Sequence, residues 1–428
     1  MSSPPSTSRS QSSHDSNAHC VRRDAPGFSP GYCSNIEAPA FRPGYCTLMG
    51  PLEGYRVIEL AQGIPGAVAG MHLGDGGADV IKVETPDGDV ARTMPPFYAE
   101  GDSGVFVAIN RNKRSLQLDL ASSRGRDALR ALIASADALI EDVDFTRELA
   151  LDVSALIDGE QLVHCRISGY GPKGPLSDLP GAEIAAQMAS EATTSLGSLG
   201  EPPVRLGTDA ASTYTGIYAA QAVLAALWRR GQDGQGQRVD VSLFGSMLMM
   251  RATLWAALSN PDEWYGFHND SYVRPPDTGY QCKDGAITMV VGRISDEQWT
   301  ALMHDLGLDK LSPEEQQIAR TQVGANSREG HRYKPLWERF LRDFTVEEVA
   351  AAFNKHGGNA YRHNDYPHVF SHPQTIHLDI TRQVDGPSGP VTVLKPPFEF
   401  SDTPVAVHRP PPALGQHTTE ILAELGLS

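Results

Sequence analysis

The alternation of short β-branched runs with helical stretches between residues 55 and 167 constrains this chain more than any other feature. Tyr55-Arg56-Val57-Ile58-Glu59-Leu60 reads as a strand, Pro65 to Leu73 carries small and apolar residues at helical spacing, and Ala78 to Glu84 reads as a second strand. Strand, helix, strand is a βαβ unit, which requires a parallel sheet with right-handed crossovers. The pattern repeats through Ser115–Leu120 (strand), Arg124–Ser135 (helix), Ala138–Glu141 (strand) and Leu162–Ile167 (strand), so the sheet has at least five strands. The expected class is α/β, with a Rossmann-like parallel-sheet large domain. The turn Ala61-Gln62-Gly63-Ile64-Pro65-Gly66 lacks G-x-G-x-x-G, so the dinucleotide fingerprint is missing.

Ligands of open parallel sheets bind beyond the carboxyl ends of the strands. Here those ends are the Gln62 turn, Glu84 to Asp89, Asp142 to Asp144, and Ser168 to Gly171. From the glycine-rich turn Gly169-Tyr170-Gly171 to Ser212-Thr213-Tyr214-Thr215-Gly216 runs the stretch expected to hold any acid chemistry. It contains two candidate carboxylates, Glu183 and Asp209. A long helix follows over Tyr214–Arg230, with Ile217, Ala220, Val223, Leu224 and Leu227 on one face. The Met-rich run from Asp240 to about Leu258 is core packing first. Arg111-Asn112-Lys113-Arg114 reads foremost as a solvated loop, and otherwise as cations near a strand mouth that hold a phosphate. Gly234-Gln235-Gly236 reads as a tight turn.

A chain of 428 residues exceeds one ordinary core, so a second domain is expected. A hairpin with its turn at Lys283-Asp284-Gly285 opens a smaller α+β domain over residues 261–370, after a large domain over 49–260. Residues 371–428 return to the large domain and close with an amphipathic helix from Thr418 to Leu427. Residues 1–48 have too few aliphatics to offset their ordering entropy and read as a disordered arm. Its near-repeat Phe28-Ser29-Pro30-Gly31-Tyr32-Cys33 and Phe41-Arg42-Pro43-Gly44-Tyr45-Cys46 is an alternative clip onto a partner subunit, and Met49 an alternative translation start.

Net charge of −16 and a pI near 5.3 argue against an extended nucleic-acid surface, which needs clustered Lys and Arg. No run of about 18 apolar residues is present, so no membrane span is expected, and the N-terminus lacks the apolar stretch of a signal peptide. The five cysteines form no C-x-x-C pair and no zinc-like spacing, which fits a reducing cytoplasm and no metal.

The motifs together resemble the class III CoA-transferase family, which includes formyl-CoA and carnitine-related CoA-transferases and the α-methylacyl-CoA racemases. The resemblance rests on Leu52–Leu60, Gly77–Glu84, Asn112–Leu116, Ile167–Gly171, Gly234–Ser242 and Leu414–Thr418, and so spans about residues 51 to 428. It implies two interlocked subunits, either a homodimer or a heterodimer with a related CoA-transferase chain. It also implies a reaction in which CoA passes from an acyl-CoA, succinyl-CoA-like, to a carboxylic acid through an aspartate nucleophile. By the same resemblance, coenzyme A lies along Gln62, Gly63, Ile64 and Pro65, near Thr85, Leu118, Asp142 and Val143, with Arg147 as a phosphate contact.

Counting back from Gly216, the resemblance puts the nucleophile's place at Ser212, which is suited to N-cap the helix; Asp209, three residues upstream, is the nearest acid and the candidate nucleophile. Glu183 follows Pro180-Gly181-Ala182, without the histidine that the racemase branch places there, and reads either as a pocket acid contributing to the cofactor site or as a helix N-terminal residue. Two functions therefore stand ahead of a third, an α-methylacyl-CoA racemase: a CoA-transferase active in its own right, and a non-catalytic scaffold subunit of a heteromeric, benzylsuccinate-type enzyme. Trp255, Trp264, Tyr265 and Phe267 are core aromatics or the lining of an aromatic acceptor pocket.

Overall fold

The computed structural model describes residues 50–98, 101–193, 202–252, 279–290, 294–322 and 330–427. The N-terminal arm with its repeat, and the four aromatics at 255, 264, 265 and 267, lie outside the described residues. The first part runs β1 (Arg56–Leu60), α1 (Pro65–Asp75), β2 (Asp79–Glu84), α2 (Gly104–Ile109), β3 (Lys113–Gln117), α3 (Ser123–Ala134), β4 (Ala138–Asp142), α4 (Val143–Glu148), β5 (Val163–Ser168), α5 (Glu183–Ala189), α6 (Ala210–Asp233), β6 (Arg238–Ser242) and α7 (Leu243–Met250). Its strands form one six-stranded sheet in the order β3-β2-β1-β4-β5-β6, parallel throughout.

Alternate residues along each strand face opposite layers, as a pleated backbone requires. Val57, Val80, Ala138, Ile140, Val163 and Cys165 pack against α1, α6 and α7 through Ala69, Leu73, Ala219, Val223 and Met247. Ile58, Leu60, Ile81, Val83, Leu116 and Leu139 pack on the other face against Leu129, Leu132 and Ile133 of α3. Gly216 lets α6 lie directly on α1: a Cβ there would come within 2.5 Å of the Val68 Cβ and 2.6 Å of the Pro65 carbonyl oxygen.

A separate apolar cluster gathers β7 (Tyr280–Cys282), β8 (Gly285–Val290), α8 (Asp296–Asp305), α9 (Pro313–Gln322), α10 (Gly330–Leu341), α11 (Val346–Lys355) and β9 (Asn359–Arg362) around Trp299, Leu302, Trp337 and Phe353. Its three strands are antiparallel, and β7 and β8 are joined by the two residues Lys283 and Asp284, as the sequence led us to expect. Beyond it lie α12 (Tyr366–Ser371), α13 (Pro373–His377), the hairpin β10 (Thr381–Gly386) and β11 (Gly389–Leu394), and α14 (Thr418–Glu424). Ile421 of α14 reaches the α3 layer of the sheet.

Two local expectations are corrected. Arg111-Asn112-Lys113-Arg114 is neither a solvated loop nor a phosphate clamp. All four are buried, because acids from distant parts of the chain converge on them. Arg111 makes a bidentate pair with Asp75 at 3.0 and 2.6 Å, Asn112 donates to Asp75 at 2.8 Å, Lys113 pairs with Glu59 at 2.7 Å, and Arg114 binds Asp79, Glu420 and Glu424. Ser212 is likewise not the N-cap of the long helix. The helix starts at Ala210, two residues before it, with Asp209 in the cap position and no side-chain cap bond of its own. The first-turn amides are taken by a carboxylate from elsewhere, which frees the serine from that task.

Candidate active site

The strand order reverses direction between β1 and β4, and the crevice beyond the carboxyl ends of such a pair is where doubly wound sheets bind their ligands. The turn Gln62-Gly63-Ile64-Pro65 leaves β1 at this point and leads into α1, with Pro65 in the first helical position. Gln62 Oε1 accepts the Val90 N–H at 2.7 Å, and the Gly63 N–H donates to Asp89 Oδ1 at 2.9 Å. The turn after β1 is thereby tied to the turn after β2, in which Thr85 also sits. Asp142 ends β4 and N-caps α4, accepting the N–H groups of Asp144 and Phe145 at 3.0 and 3.3 Å. Burial pushes its carboxyl up to about 6, against the opposing pull of the amides of Phe145, Asp144 and Gln62. Val143 opens α4 beside it, and Arg147, half-exposed, pairs with Asp144 at 2.7 Å. Leu118 is buried in the α3 layer, so its side chain belongs to the core.

Beneath this crevice lies a charge cluster that the sequence reading missed. Lys82 Nζ sits 2.6 Å from Glu59 Oε1 and 2.5 Å from Asp89 Oδ2, and Lys113 Nζ sits 2.7 Å from Glu59 Oε2, with all four side chains fully buried. Glu59 Oε2 and Asp89 Oδ2 have ion-pair distances without hydrogen-bond angles. Arg92 closes the cluster with two bonds to Glu84, at 2.7 and 2.8 Å, and Ser115 adds a third at 2.6 Å. Three acids (Glu59, Glu84, Asp89) thus face three bases (Lys82, Lys113, Arg92). Burial works to lower Lys82, but Asp89, Glu59 and Glu84 outweigh it and hold it above the ordinary lysine range. Lys113, with Glu59 opposing, is pushed down by burial to about 8. The signal was present in the sequence as single charges inside apolar strands, yet only the register of β1 on β2, which sets Glu59 opposite Lys82, pairs them.

The two candidate carboxylates meet at the head of α6 but in unlike settings. Gly169, at the end of β5, and Gly181 touch backbone to backbone: a Cβ on Gly169 would fall 2.4 Å from the Gly181 Cα. The Gly181 N–H also donates to Asp144 Oδ2 at 2.7 Å. Those two contacts hold the start of α5, and with it Glu183, against the mouth of β4 and β5. Glu183 is half-buried. Its Oε1 accepts the Ala211 N–H at 2.9 Å and its Oε2 the Ser212 N–H at 2.7 Å, so that both oxygens rest on the open amides of a 24-residue helix. Among the described residues no cation pairs with it. Asp209 instead binds Arg205 at 2.6 Å, in an i,i+4 pair with 41% and 52% of the two side chains exposed.

The turn and the carboxylate come together through α6. Gly216 rests on Pro65, and Ser212 lies one helical turn before it, about 6 Å along the axis. Gln62, Gly63, Ile64, Pro65, Thr85, Asp142, Val143 and Glu183 therefore share one end of the sheet. Gln187, which the sequence reading passed over, is fully buried there and hydrogen-bonded to Glu183 at 2.6 Å.

Comparison with known proteins identifies the family. The sequence profile of CoA-transferase family III matches residues 52–418. The succinyl-CoA:glutarate CoA-transferase of Homo sapiens is 30% identical over 389 residues, covering 88% of this chain and 86% of that one. The succinyl-CoA–L-malate CoA-transferase beta subunit of Chloroflexus aurantiacus is 30% identical, covering 88% of this chain and 94% of that one. A CAIB/BAIF family protein from Brucella suis, known as a crystal structure, superposes with a TM-score of 0.75 at 29% identity, covering 88% of this chain and all of the other. The chain is a CoA-transferase and belongs to CoA-transferase family III.

Proposed function

We propose that this chain moves CoA from a succinyl-CoA-like donor to a carboxylic acid, of the dicarboxylate class that appears in its relatives' names, with Glu183 as the carboxylate that receives the acyl group. The observation that carries the choice is the seat of Glu183: both oxygens lie on helix amides and, among the described residues, no cation neutralises it, whereas Asp209 is bound to Arg205. A helix N-terminus favours the anion and supplies donors where charge shifts during acyl transfer. A Glu183 oxygen adds to the thioester carbonyl, the C–S bond breaks, and CoA leaves as a thiolate. The thiolate then attacks the Glu183 carbonyl of the anhydride, releasing the donor acid and leaving a glutamyl-CoA thioester. The acceptor carboxylate runs the same steps in reverse. Gln62 to Pro65, Thr85, Asp142 and Val143 line the path of coenzyme A, and Arg147 takes a phosphate by exchanging Asp144 for it.

We place the protein in the cytoplasm as a dimer, its large domain over 49–260, its small one over 261–370, and 371–428 returning to the first. What supports the dimer is α12 and α13, which bury no residue of their own while presenting Tyr366, Val369, Phe370, Ile376 and Leu378. The relative described as a beta subunit supports a second reading, a scaffold chain that works beside a related catalytic one. One experiment separates the three cases. Incubated alone with succinyl-CoA, the wild-type chain gains a covalent CoA adduct on the peptide holding Glu183, which Glu183→Gln abolishes and Asp209→Asn keeps. Loss in Asp209→Asn instead transfers the role to Asp209, and an adduct that needs a second chain selects the scaffold.

A further inference from the structure

Gln187 is a fully buried polar side chain, one turn beyond Glu183 on the same face of α5. Its Nε2 donates to Glu183 Oε1 at 2.6 Å and to the Thr208 carbonyl at 3.3 Å, while its Oε1 accepts the Leu206 N–H at 3.0 Å. One carboxamide thus joins the carboxylate to the backbone that leads into α6, the helix whose amides hold the same carboxylate. Glutamate has three side-chain torsions to order, and the amides of Ala211 and Ser212 constrain its end from one side only.

We propose that Gln187 is a positioning residue for acyl transfer: it fixes the Glu183 carboxylate against the head of α6 so that both move as one unit. The inference rests on the reading of Glu183 as the acyl acceptor. Misplacing a reacting group by about 1 Å costs roughly 100-fold in rate, which sets the size of the expected effect. Among the described residues, the other charged groups around the site are Asp142, Asp144 and Arg147 at α4, Arg205 and Asp209 before α6, and Glu191 with Arg251 at the far end of α5 and α7.

Gln187→Glu is the informative variant. It keeps an acceptor for Leu206 but replaces the donor to Glu183 by a second carboxylate. At pH 8 kcat falls about 100-fold with the KM for succinyl-CoA within about threefold. Lowering the pH restores turnover, because the proton taken up by the crowded pair returns a donor to Glu183. Gln187→Met shows the loss without the recovery. Wild-type kcat and pH profile in Gln187→Glu would overturn the proposal. So would an equal, pH-independent loss in both variants, which marks a merely structural role. If Gln187→Glu fails to fold, Gln187→Met decides alone: a fall in kcat at unchanged KM supports the inference and wild-type turnover defeats it. Continued adduct formation in Glu183→Gln is a different result, and removes the underlying reading rather than the clamp.

Discussion

The two mouths of the sheet, two strands and about 10 Å apart, hold negative charge by opposite means. Beyond β1 and β2, Glu59, Glu84 and Asp89 are answered by Lys82, Lys113 and Arg92, so the charges are buried in balance and the Gly63 turn stands on them. Beyond β5, Glu183 is held, among the described residues, by helix amides and the Gln187 carboxamide alone. A carboxylate matched by a buried cation is committed to the fold. One held by neutral donors keeps its charge available for chemistry.

Substitutions test this contrast, beginning with the largest expected effect. Glu183→Gln should lower CoA transfer by about 1,000-fold or more, since the amide neither attacks nor carries charge, and should cost only about 0.5–2 kcal/mol of stability, because its NH2 replaces one acceptor of the donors at the head of α6. A destabilised but active variant would place Glu183 with the structural acids. Lys82→Met should do the reverse, costing about 3–5 kcal/mol in denaturant unfolding because Glu59 and Asp89 are left buried with one cation fewer. Gly216→Val should cost about 1–3 kcal/mol through its clash with Val68 and Pro65, and should slow transfer as well by lifting the head of α6 from the turn.

Asp142 adds a pH test. Its carboxyl, raised by burial to about 6, holds a proton in the native protein between about pH 4 and 6, where the unfolded chain has released it. Its contribution to stability is therefore greatest at low pH and falls as pH rises through that window. Asp142→Asn keeps a cap acceptor without the buried charge, so it should gain about 1–3 kcal/mol over wild type at pH 8 and almost nothing near pH 4. Asp209→Asn should be the mildest, changing stability by less than about 1 kcal/mol, as exposed pairs do, with adduct formation retained.

Much of the parallel sheet was legible in sequence because each strand is a short apolar run and each crossover a helical pattern, signals that depend on neighbours a few residues away. The Gln62 turn was legible for the same reason, lying where a strand must end. The charged run 111–114 was misread as solvated because its partners, Asp75, Asp79, Glu59 and Glu424, are brought to it by four other elements. The carboxylates were found, but their ranking was not legible. Local spacing put Ser212 at the helix start and made Asp209 its nearest acid, while the residue that takes the first-turn amides is Glu183, 29 positions away from Ser212 in the chain.

The sequence by itself determined the α/β class, the turn beyond β1, and the resemblance to a CoA-transferase family, all of which rest on patterns within one element or between neighbouring ones. Only the tertiary structure decided which charges are neutralised and which carboxylate is held on open amides. Pairing depends on sheet register and on the approach of α6 to α1 at Gly216, and contacts so distant along the chain leave no local pattern to read.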